Sequence, residues 1–350
     1  MTAAKTEFLI IGQGLAGTCL AIELLRRNRT VKVADQPDAH AASKVAAGMF
    51  NPVTSKLRTG TWNASKLFPC LDEFYRHAED LLQDSFYHSK VMYRPFNSIE
   101  DQNGWSMEEN LFIRKLHFGP AWSDVVNDPL GGIEIDHAGS VNTRRFTYAF
   151  RRYLEEKDLL ITTDGSIGSA IKLASEFPQV IWCEGAAITG NPLFRWLPIS
   201  RLKGEVLELT ADLRTDVLFN GPAWLVPDEV TGRFRAGSTY DRSGTPGNTA
   251  EGIADLTGRV AGLLKTSFRV TGTDWGFRPV VRDRRPVMGP HPEEPGHLVF
   301  NGLGTKGVSL APWCAARFAD WLTGKGSLPE EVNISRFSSF YFKYLQDTPR

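Results

Sequence analysis

The sequence predicts an α/β protein of two domains, one that contains a βαβ unit and one that is rich in strands. Three observations support this prediction. The chain has 350 residues, which is too long for one small core. It begins with a glycine-rich strand–helix–strand unit, and two later stretches show the alternating pattern of strands.

The clearest local signal is EFLIIGQGLAGTCLAIELLRRNRTVKVAD, residues 7–35, which reads as strand, helix and strand. Gly12, Gly14 and Gly17 stand in G-x-G-x-x-G order between the first strand and the helix. The first glycine permits the tight turn, the second lets backbone approach a pyrophosphate, and the third lets helix and strand pack closely. Asp35 ends the second strand, where a carboxylate that binds an adenosine ribose is expected. The unit predicts dinucleotide binding, with a glycine-rich turn of another α/β protein as the alternative.

The next stretch, PDAHAASKVAAGMFNPVTSK, residues 37–56, is rich in small side chains. Such residues suit backbone that passes close to an extended cofactor, whereas a plain nicotinamide-binding domain would resume a crossover helix here. A loosely packed alanine-rich helix is the alternative.

Near the C-terminus, FNGLGTKGVSLAPWCAARFADWL combines the apolar repeat of a helix with three glycines, Gly302, Gly304 and Gly307. Ser309 is a candidate N-cap, and Pro312 fits a first helical turn. A glycine loop that runs into a helix N-terminus offers free N–H groups and positive partial charge, so an anion site is predicted. Lys306 could add a full charge there, with a solvated loop lysine as the alternative.

The segment TDWGFRPVVRDRRPVMG places Arg278 between an aromatic residue and a proline in a stretch that otherwise reads as buried strand. A buried arginine requires an anion. Either a bound anion or an internal salt bridge meets this need, and Asp283, Asp274 and Glu205 are the candidate partners for a salt bridge.

Composition argues against several functions. Lys plus Arg and Asp plus Glu number 40 each, so no net charge attracts nucleic acid or an anionic membrane. No pair of cysteines or histidines has metal-ligand spacing, so no metal site is expected, and four reduced, mostly core thiols are predicted: Cys19, Cys70, Cys183 and Cys314. The first residues lead directly into a strand and no apolar run is long enough to span a membrane, which predicts a soluble cytoplasmic protein.

The chain resembles the glycine oxidase and D-amino-acid oxidase family of FAD-dependent oxidoreductases in seven motifs, in order IIGQGLAG, AAGMFNP, AGSVNTRRFTYAFRRYLE, VIWCEGAA, RLKGEVLEL, GFRPVVRDRRPVMG and NGLGTKGVSLAP. The last two are the most specific. The second and last are also similar to the flavin domain of the bifunctional enzyme that matures wobble uridine in tRNA. With the patterning, the resemblance implies a Rossmann-like FAD-binding domain in residues 1–88, 138–203 and 276–350. Residues 89–137 and 204–275 would form the antiparallel-sheet substrate domain, as in D-amino-acid oxidase.

The resemblance also implies roles for individual residues. Non-covalent FAD would contact Gly12, Gly14, Leu15, Ala16, Gly17, Asp35, Gln36, Ser43, Ala46, Ala47, Gly48, Met49, Gly185, Gly302, Gly304, Thr305, Lys306 and Gly307. The substrate cavity would be lined by Met49, Asn51, Trp224, Tyr240 and Arg278. Arg278 and Lys306 would be catalytic, with Arg278 pairing in a bidentate way with a substrate carboxylate. Non-covalent attachment is implied because no cysteine occurs where sarcosine-oxidase relatives have one after this arginine.

Two positions depart from the family pattern and bear on the substrate. Trp224 stands where glycine-oxidase-like sequences have a tyrosine that helps hold the carboxylate, and Thr305 stands where some relatives have a further arginine. Both favour a substrate larger or less anionic than glycine. The expected reaction is oxidation of the C–N bond of an amino acid or secondary amine to an imine, with O2 as the electron acceptor. The alternatives are a tRNA side-chain oxidase, an amine dehydrogenase with another acceptor, and a non-catalytic or NAD-binding Rossmann protein.

Overall fold

The computed structural model describes residues 6–36, 38–54, 59–107, 111–213 and 215–347. Its elements are numbered in chain order below. A parallel sheet and a larger antiparallel sheet organise these residues, and the chain passes between the two sheets several times. The predicted α/β fold class is confirmed.

The first sheet is parallel apart from one edge strand. Its strands are, in spatial order, β16 (Val287–Pro290), β17 (His297–Asn301), β10 (Gln179–Trp182), β1 (Phe8–Ile11), β2 (Val31–Asp35) and β9 (Leu160–Thr162). The predicted strand–helix–strand unit is β1, α1 (Leu15–Arg26) and β2, at the centre of the sheet. The carboxyl ends of β10, β1 and β2 lie side by side. Open α/β sheets bind ligands in the crevice outside such strand ends.

Helices cover both faces of the parallel sheet. One face packs on α1, α3 (Ala64–Leu82), α5 (Thr143–Glu156) and α8 (Gly307–Leu322), with Ile22, Phe146 and Phe318 in the shared core. The other face packs on α6 (Ile167–Ala174), the 3-10 helices Gly185–Gly190 and Ile334–Phe337, and α9 (Ser338–Asp347). Helix α9 is the last described element, and residues 348–350 lie outside the described residues.

The second sheet is antiparallel except where β12 runs parallel to β6. Its strands are, in spatial order, β15 (Phe268–Val281), β11 (Ile199–Ala211), β14 (Phe234–Gly237), β13 (Trp224–Pro227), β12 (Leu218–Asn220), β6 (Tyr87–Pro95), β8 (Gly132–Val141) and β3 (Met49–Phe50), with β7 (Ile113–His117) also paired to β8. Short elements complete the fold: α2 (Ala42–Val45), the hairpin of β4 (Val53–Thr54) and β5 (Thr59–Gly60), and α4 (Ile99–Asn103).

The antiparallel sheet has two different faces. One packs against α7 (Ala250–Leu263), with Leu207, Phe219 and Leu256 in the core between them. The other carries an apolar cluster that includes Ala47, the residue before Gly48 in the small-residue segment. This second face is therefore the one that meets the segment expected to run beside the cofactor.

The boundaries predicted between the two domains fall within strands of the antiparallel sheet. Strand β6 continues through residues 88 and 89, β8 through 137 and 138, β11 through 203 and 204, and β15 through 275 and 276. Because each strand is continuous across its boundary, it couples the positions of residues in the two predicted domains. The division into domains stays a prediction.

Helix α8 begins earlier than the sequence predicted. Lys306 is its N-cap, so the prediction that Ser309 caps the helix is wrong; the Ser309 hydroxyl instead donates to the Lys306 carbonyl at 3.1 Å. Pro312 lies inside the helix rather than in its first turn. Proline lacks the N–H that would bond Val308 O four residues earlier, and Tyr75 Oη donates to that oxygen at 3.0 Å. The Tyr75 hydroxyl thus supplies the hydrogen-bond donor that Pro312 lacks.

The prediction of four reduced, mostly buried cysteines agrees with the structure. Cys19, Cys183 and Cys314 are buried, Cys70 is half-buried, and all four are free thiols. Within residues 6–36, 38–54, 59–107, 111–213 and 215–347, no group of acidic, histidine or cysteine side chains is arranged to hold a metal ion. In the same ranges no helix combines the length and apolar character needed to cross a membrane.

Candidate functional site

Two of the three fingerprint glycines are required by the fold itself. Gly12 has a φ of 102°, and a Cβ atom there would lie 2.5 Å from the carbonyl oxygen of Cys183 on the chain leaving β10. A Cβ atom on Gly17 would lie 2.0 Å from the Gly12 carbonyl oxygen and would separate α1 from β1. These positions meet the predicted requirements of a tight turn and close helix–strand packing.

Gly14 is constrained differently. Its backbone is extended, with a φ of −80°, and among the described residues an added Cβ atom would approach Ser43 Oγ alone, at 3.3 Å. As the N-cap of α1, Gly14 has no side chain to bond the N–H groups of the first turn. The N-terminus of α1 thus faces a space walled by Gly14 and the Ser43 hydroxyl. A pyrophosphate fits this chemistry, since it needs N–H and O–H donors at a positive helix end.

Asp35 lies beside this space at the carboxyl end of β2. One carboxylate oxygen accepts the Gln13 N–H at 2.9 Å, and the other accepts Arg151 Nη1 at 3.0 Å. Burial raises the pKa of Asp35, an effect that the Gln13 N–H and the Arg151 charge oppose. The adjacent Gln36 packs against the turn after β9, where a Cβ atom on Gly165 would lie 1.3 Å from its Oε1.

The N-terminus of α8 lies next to that of α1. Leu15 Cδ2 is 3.2 Å from where a Cβ atom of Gly307, the first residue of α8, would stand. Near the other end of each helix, Arg27 Nη2 donates to Asp320 Oδ1 at 2.7 Å, so the two helices run parallel. Lys306 caps α8 without a side-chain hydrogen bond to its first turn. Two positive helix ends therefore meet at one crevice, where both favour an anion.

Lys306 adds a basic group to this crevice. It is half-buried, and its ammonium donates to Oγ1 of Thr61. Burial lowers the pKa of Lys306 from 10.5 to about 8. A neighbouring anion would oppose this shift, because it favours the protonated form.

The glycine loops predicted to contact the cofactor are joined by one buried side chain. Asn301 Nδ2 donates to the Gly185 carbonyl at 3.1 Å, and Asn301 Oδ1 accepts the Gly302 N–H at 2.7 Å. Gly304 N–H donates to the Pro279 carbonyl at 2.9 Å, which connects the loop to β15. The structure thus brings the ends of β10, β15 and β17 together at the start of α8, while Thr305 is exposed.

The small-residue segment is a one-turn helix followed by extended chain. The Ala46 carbonyl accepts Arg235 Nη1 from β14 at 3.0 Å and Thr143 Oγ1 from α5 at 3.3 Å. Gly48 has a φ of 68°, and a Cβ atom there would lie 1.8 Å from the Val141 carbonyl oxygen. A long alanine-rich helix is therefore absent from this described segment, and the glycine is required by close contact with β8.

Arg278 lies on the inner face of β15 and reaches across β11. A Cβ atom on Gly204 of β11 would lie 2.0 Å from Arg278 Nη2, so the guanidinium rests on bare backbone. Beyond β11 it meets the loop of residues 238–249 between β14 and α7, which we call the Arg278 loop. Nη2 donates to Ser238 Oγ at 2.7 Å, Nη1 donates to the Thr239 carbonyl at 3.3 Å, and Cζ lies 5.1 Å from the centre of the Tyr240 ring.

The internal salt bridge considered for Arg278 is absent from the described residues. Each candidate partner is engaged elsewhere: Asp283 with Arg336, Asp274 with Arg144, and Glu205 with Thr239 and Thr249. Burial lowers the pKa of Arg278, and the opposing contribution comes from Tyr240. A desolvated guanidinium whose described partners are a hydroxyl and a carbonyl retains the ability to bind an anion.

One aromatic side chain lies close to the start of the Arg278 loop. The Trp224 ring covers Gly237, where a Cβ atom would lie 2.6 Å from its Cζ2, next to the Ser238 that bonds Arg278. Met49 and Trp224 pack against the same apolar cluster on this face of the sheet. Asn51 is turned into its own loop, where Oδ1 accepts the Val53 N–H at 3.0 Å.

A cavity of about 320 Å³ opens beside Ala46 and Ala47 but does not contain Arg278, Trp224 or Tyr240. Its wall includes Asp274, four residues before Arg278 on β15 and therefore about 13 Å away along the strand. The cavity is therefore distinct from the surroundings of the guanidinium. Charged side chains of its wall form ion pairs with each other, as in the 3.0 Å contact of Arg144 with Asp274.

Several residues of the site were missed by sequence reasoning. Arg151 lies 116 positions from Asp35, and no motif connects the two. Glu184, just before Gly185, is a half-buried carboxyl group whose pKa burial raises to about 7, although Asn191 Nδ2 donates to it at 2.7 Å. For Glu184, the one signal available in the sequence was its position directly before Gly185, a glycine predicted to contact the cofactor.

Comparison with known proteins agrees with these features. A family model described as FAD dependent oxidoreductase matches residues 7–321. The bifunctional protein ThiO/ThiG of Synechocystis sp. is 26% identical over 90% of this chain and 51% of its own length. The tRNA 5-methylaminomethyl-2-thiouridine biosynthesis bifunctional protein MnmC of Marinobacter nauticus is 24% identical over 91% of this chain and 56% of its own. The chain thus spans about half the length of these curated relatives.

A solved structure shows the same fold. The crystal structure of glycine oxidase from Geobacillus kaustophilus superposes with a TM-score of 0.74, covering 95% of this chain and 97% of that one, at 18% sequence identity. The family match extends from the strand before Gly12 to the last turn of α8, and so includes both helix ends at the crevice. The chain belongs to the DAO family of FAD-dependent oxidoreductases.

Proposed function

We propose that this FAD-dependent enzyme oxidises the C–N bond of an amino acid or related amine that carries a carboxylate. The observation that carries the proposal is Arg278, a desolvated guanidinium on the inner sheet face without a carboxylate partner among the described residues. Its planar fork matches a carboxylate and fixes the orientation of the adjoining carbon. Trp224 and Met49 pack against one apolar cluster of the same sheet, and we propose that they wall the substrate cavity.

The chain's contribution to the reaction is orientation and electrostatics. The substrate loses two electrons and two protons as its C–N bond becomes an imine, which water then hydrolyses. Bound FAD supplies the two-electron acceptor. Gly12, Gly14, Ser43 and the two helix ends would hold it, with Asp35 toward the ribose. Alignment by Arg278 and charge stabilisation at the helix ends would lower the barrier without a strong protein base.

The electron acceptor and the substrate class are tested together by a panel of amino acids, their decarboxylated amines and secondary amines. We expect amino acids to bleach the flavin without oxygen, and to yield hydrogen peroxide in air. Bleaching without peroxide would indicate a dehydrogenase. If the panel is inert while a tRNA bearing a modified wobble uridine is oxidised, the proposed small-molecule substrate is wrong.

Gly204→Ala is expected to displace Arg278 without unfolding the sheet. The new Cβ atom would stand 2.0 Å from Nη2, which lies at the far end of a flexible side chain. Misplacement by about 1 Å can lower a rate on the order of a hundredfold, so kcat/KM for amino acids should fall strongly. Gly258→Ala in α7 is the control, since no described atom lies within 4 Å of its added Cβ atom. Equal kinetics in the two variants would contradict this position of Arg278.

The affinity of the apoprotein for FAD is expected to fall as the pH rises through about 8. Lys306 loses its charge there, and a bound anion raises its pKa, so binding takes up a proton above that pH. The decrease is at most about tenfold per pH unit. Lys306→Met should bind FAD more weakly at neutral pH and lose the pH dependence. Fluorescence titrations from pH 7 to pH 9 measure both effects. If FAD affinity depends on pH in the same way in the wild type and in Lys306→Met, Lys306 lies away from the cofactor's charge.

A further inference from the structure

The hydrogen bonds and the ring contact described for the Arg278 guanidinium come from three consecutive residues of the Arg278 loop. Ser238 and Thr239 accept its hydrogen bonds, and the Tyr240 ring lies against it although that side chain is 64% exposed. A loop at the surface does not by itself hold three groups in place. The position of these groups therefore depends on what fixes the loop.

Lys203 of β11 fixes the middle of the Arg278 loop from inside the protein. Its side chain is 0% exposed, which is rare for lysine. The ammonium contacts Asp241 Oδ2 at 3.0 Å and donates to the Gly247 carbonyl at 3.1 Å. The backbones of Lys203 and Asp241 also exchange two hydrogen bonds, of 2.9 and 3.0 Å. A buried ammonium persists only where such partners surround it, so it specifies this loop position.

Glu205, two residues further along β11, fixes both ends of the loop. Thr239 Oγ1 accepts the Glu205 N–H at 2.8 Å and donates to Glu205 Oε2 at 3.1 Å. Thr249 Oγ1 donates to Glu205 Oε1 at 3.1 Å, and its N–H donates to the same oxygen. Gly252 in α7 leaves room for the carboxylate, since a Cβ atom there would lie 1.8 Å from Oε2.

Strand alternation links these anchors to the site. Gly204 lies between Lys203 and Glu205, and neighbouring residues of a strand point to opposite faces. The bare face of Gly204 supports the Arg278 guanidinium, whereas the two charged side chains reach the Arg278 loop from the other face. Three consecutive residues of β11 therefore set both the floor under the guanidinium and the position of the loop that bonds it.

We propose that Lys203 and Glu205 are positioning residues that set the carboxylate selectivity of the enzyme by fixing the Arg278 loop against Arg278. The inference rests on the proposed function, in which Arg278 binds a substrate carboxylate. Neither residue touches the substrate. Their buried charges specify one loop arrangement, in which Ser238 and Thr239 turn the guanidinium so that its remaining donors face a carboxylate.

The test compares carboxylate preference, defined as kcat/KM for an α-amino acid divided by kcat/KM for its decarboxylated amine. It is measured for the FAD-loaded wild type, Lys203→Met, and Lys203→Met combined with Asp241→Asn, which removes both charges of the 3.0 Å ion pair. Glu205 Oε1, 3.8 Å from the Lys203 ammonium, keeps its hydrogen bond from Thr249 in both variants. Lys90→Met with Glu229→Gln is the matched control, because it removes another lysine–carboxylate pair anchored on the same sheet. Acetate binding to each holoprotein is measured by calorimetry as a readout independent of turnover.

We expect both Lys203 variants to lose carboxylate preference on the order of tenfold or more, since small misplacements have large effects on rate. Acetate binding should weaken in parallel, amine turnover should persist, and the control should match the wild type. Unchanged preference and acetate affinity in both Lys203 variants, with both reduced in Arg278→Ala, would overturn this inference alone. Unchanged preference in Arg278→Ala would overturn the proposed carboxylate site and the inference with it.

Discussion

Replacing Arg278 with alanine is expected to remove on the order of 2–5 kcal/mol of interaction with a substrate carboxylate, much of it by leaving that charge unpaired. This corresponds to a decrease in kcat/KM for an amino acid of roughly thirtyfold to several thousandfold. The decarboxylated amine should change little, because it makes no such contact. Arg278→Lys should recover part of the loss, since the charge survives but the planar fork does not.

Folding should be affected much less by the same substitution. The described residues give Arg278 no ion pair, so alanine removes hydrogen bonds to Ser238 and Thr239. A cost of about 1–3 kcal/mol in the free energy of unfolding follows, below the roughly 3–5 kcal/mol for breaking a buried ion pair. Arg201→Ala is the control: this exposed arginine on β11 lies over the Phe277 ring, with Cζ 4.0 Å from its centre. Early melting and an equal loss on both compounds would make Arg278 a structural residue.

Gly14→Val is expected to give a folded protein that contains mostly no FAD. A Cβ atom at this position meets Ser43 Oγ alone among described residues, so we expect the apoprotein to keep its stability. The methyl groups of valine would fill the space proposed for the pyrophosphate. Purified protein should be nearly colourless, and added FAD should fail to restore the flavin absorbance. Apoproteins are compared, because bound FAD would itself raise the melting temperature of the wild type.

Two further glycines make this experiment specific. Gly17→Ala should lower the yield of folded protein, because its Cβ atom would meet the backbone oxygen of Gly12 at 2.0 Å. Gly119→Val should behave as the wild type, since no described atom lies within 4 Å of its Cβ position. Full FAD content in Gly14→Val would show that this glycine does not face the cofactor.

The sequence predicted the parts of the fold that depend on local chemistry. The unit of β1, α1 and β2 was predictable because its turn, helix and second strand lie within residues 7–35, where glycine spacing and apolar period act together. The start of α8 was predicted wrongly at Ser309. Serine is a preferred N-cap residue, which is why Ser309 was predicted. In the structure the N-cap is Lys306, and its side chain makes no hydrogen bond to the first turn.

The surroundings of Arg278 could not be predicted, because they depend on contacts between distant residues. Its guanidinium meets Ser238, 40 positions away, and rests on a glycine of a neighbouring strand. The pairing of Asp35 with Arg151 is likewise a product of tertiary packing. Motif resemblance indicated which arginine to consider, but strand register determines what that arginine touches.

The parallel alignment of α1 and α8 has a consequence for how the enzyme is made. Arg27 and Asp320, which join these helices, are 293 positions apart. A ribosome adds residues in order, so α1 is complete long before the residues of α8 have been synthesised. The crevice cannot present both helix ends until Gly307 has left the exit tunnel. If FAD binds at these two helix ends, as proposed above, the chain can capture it only after α8 has emerged.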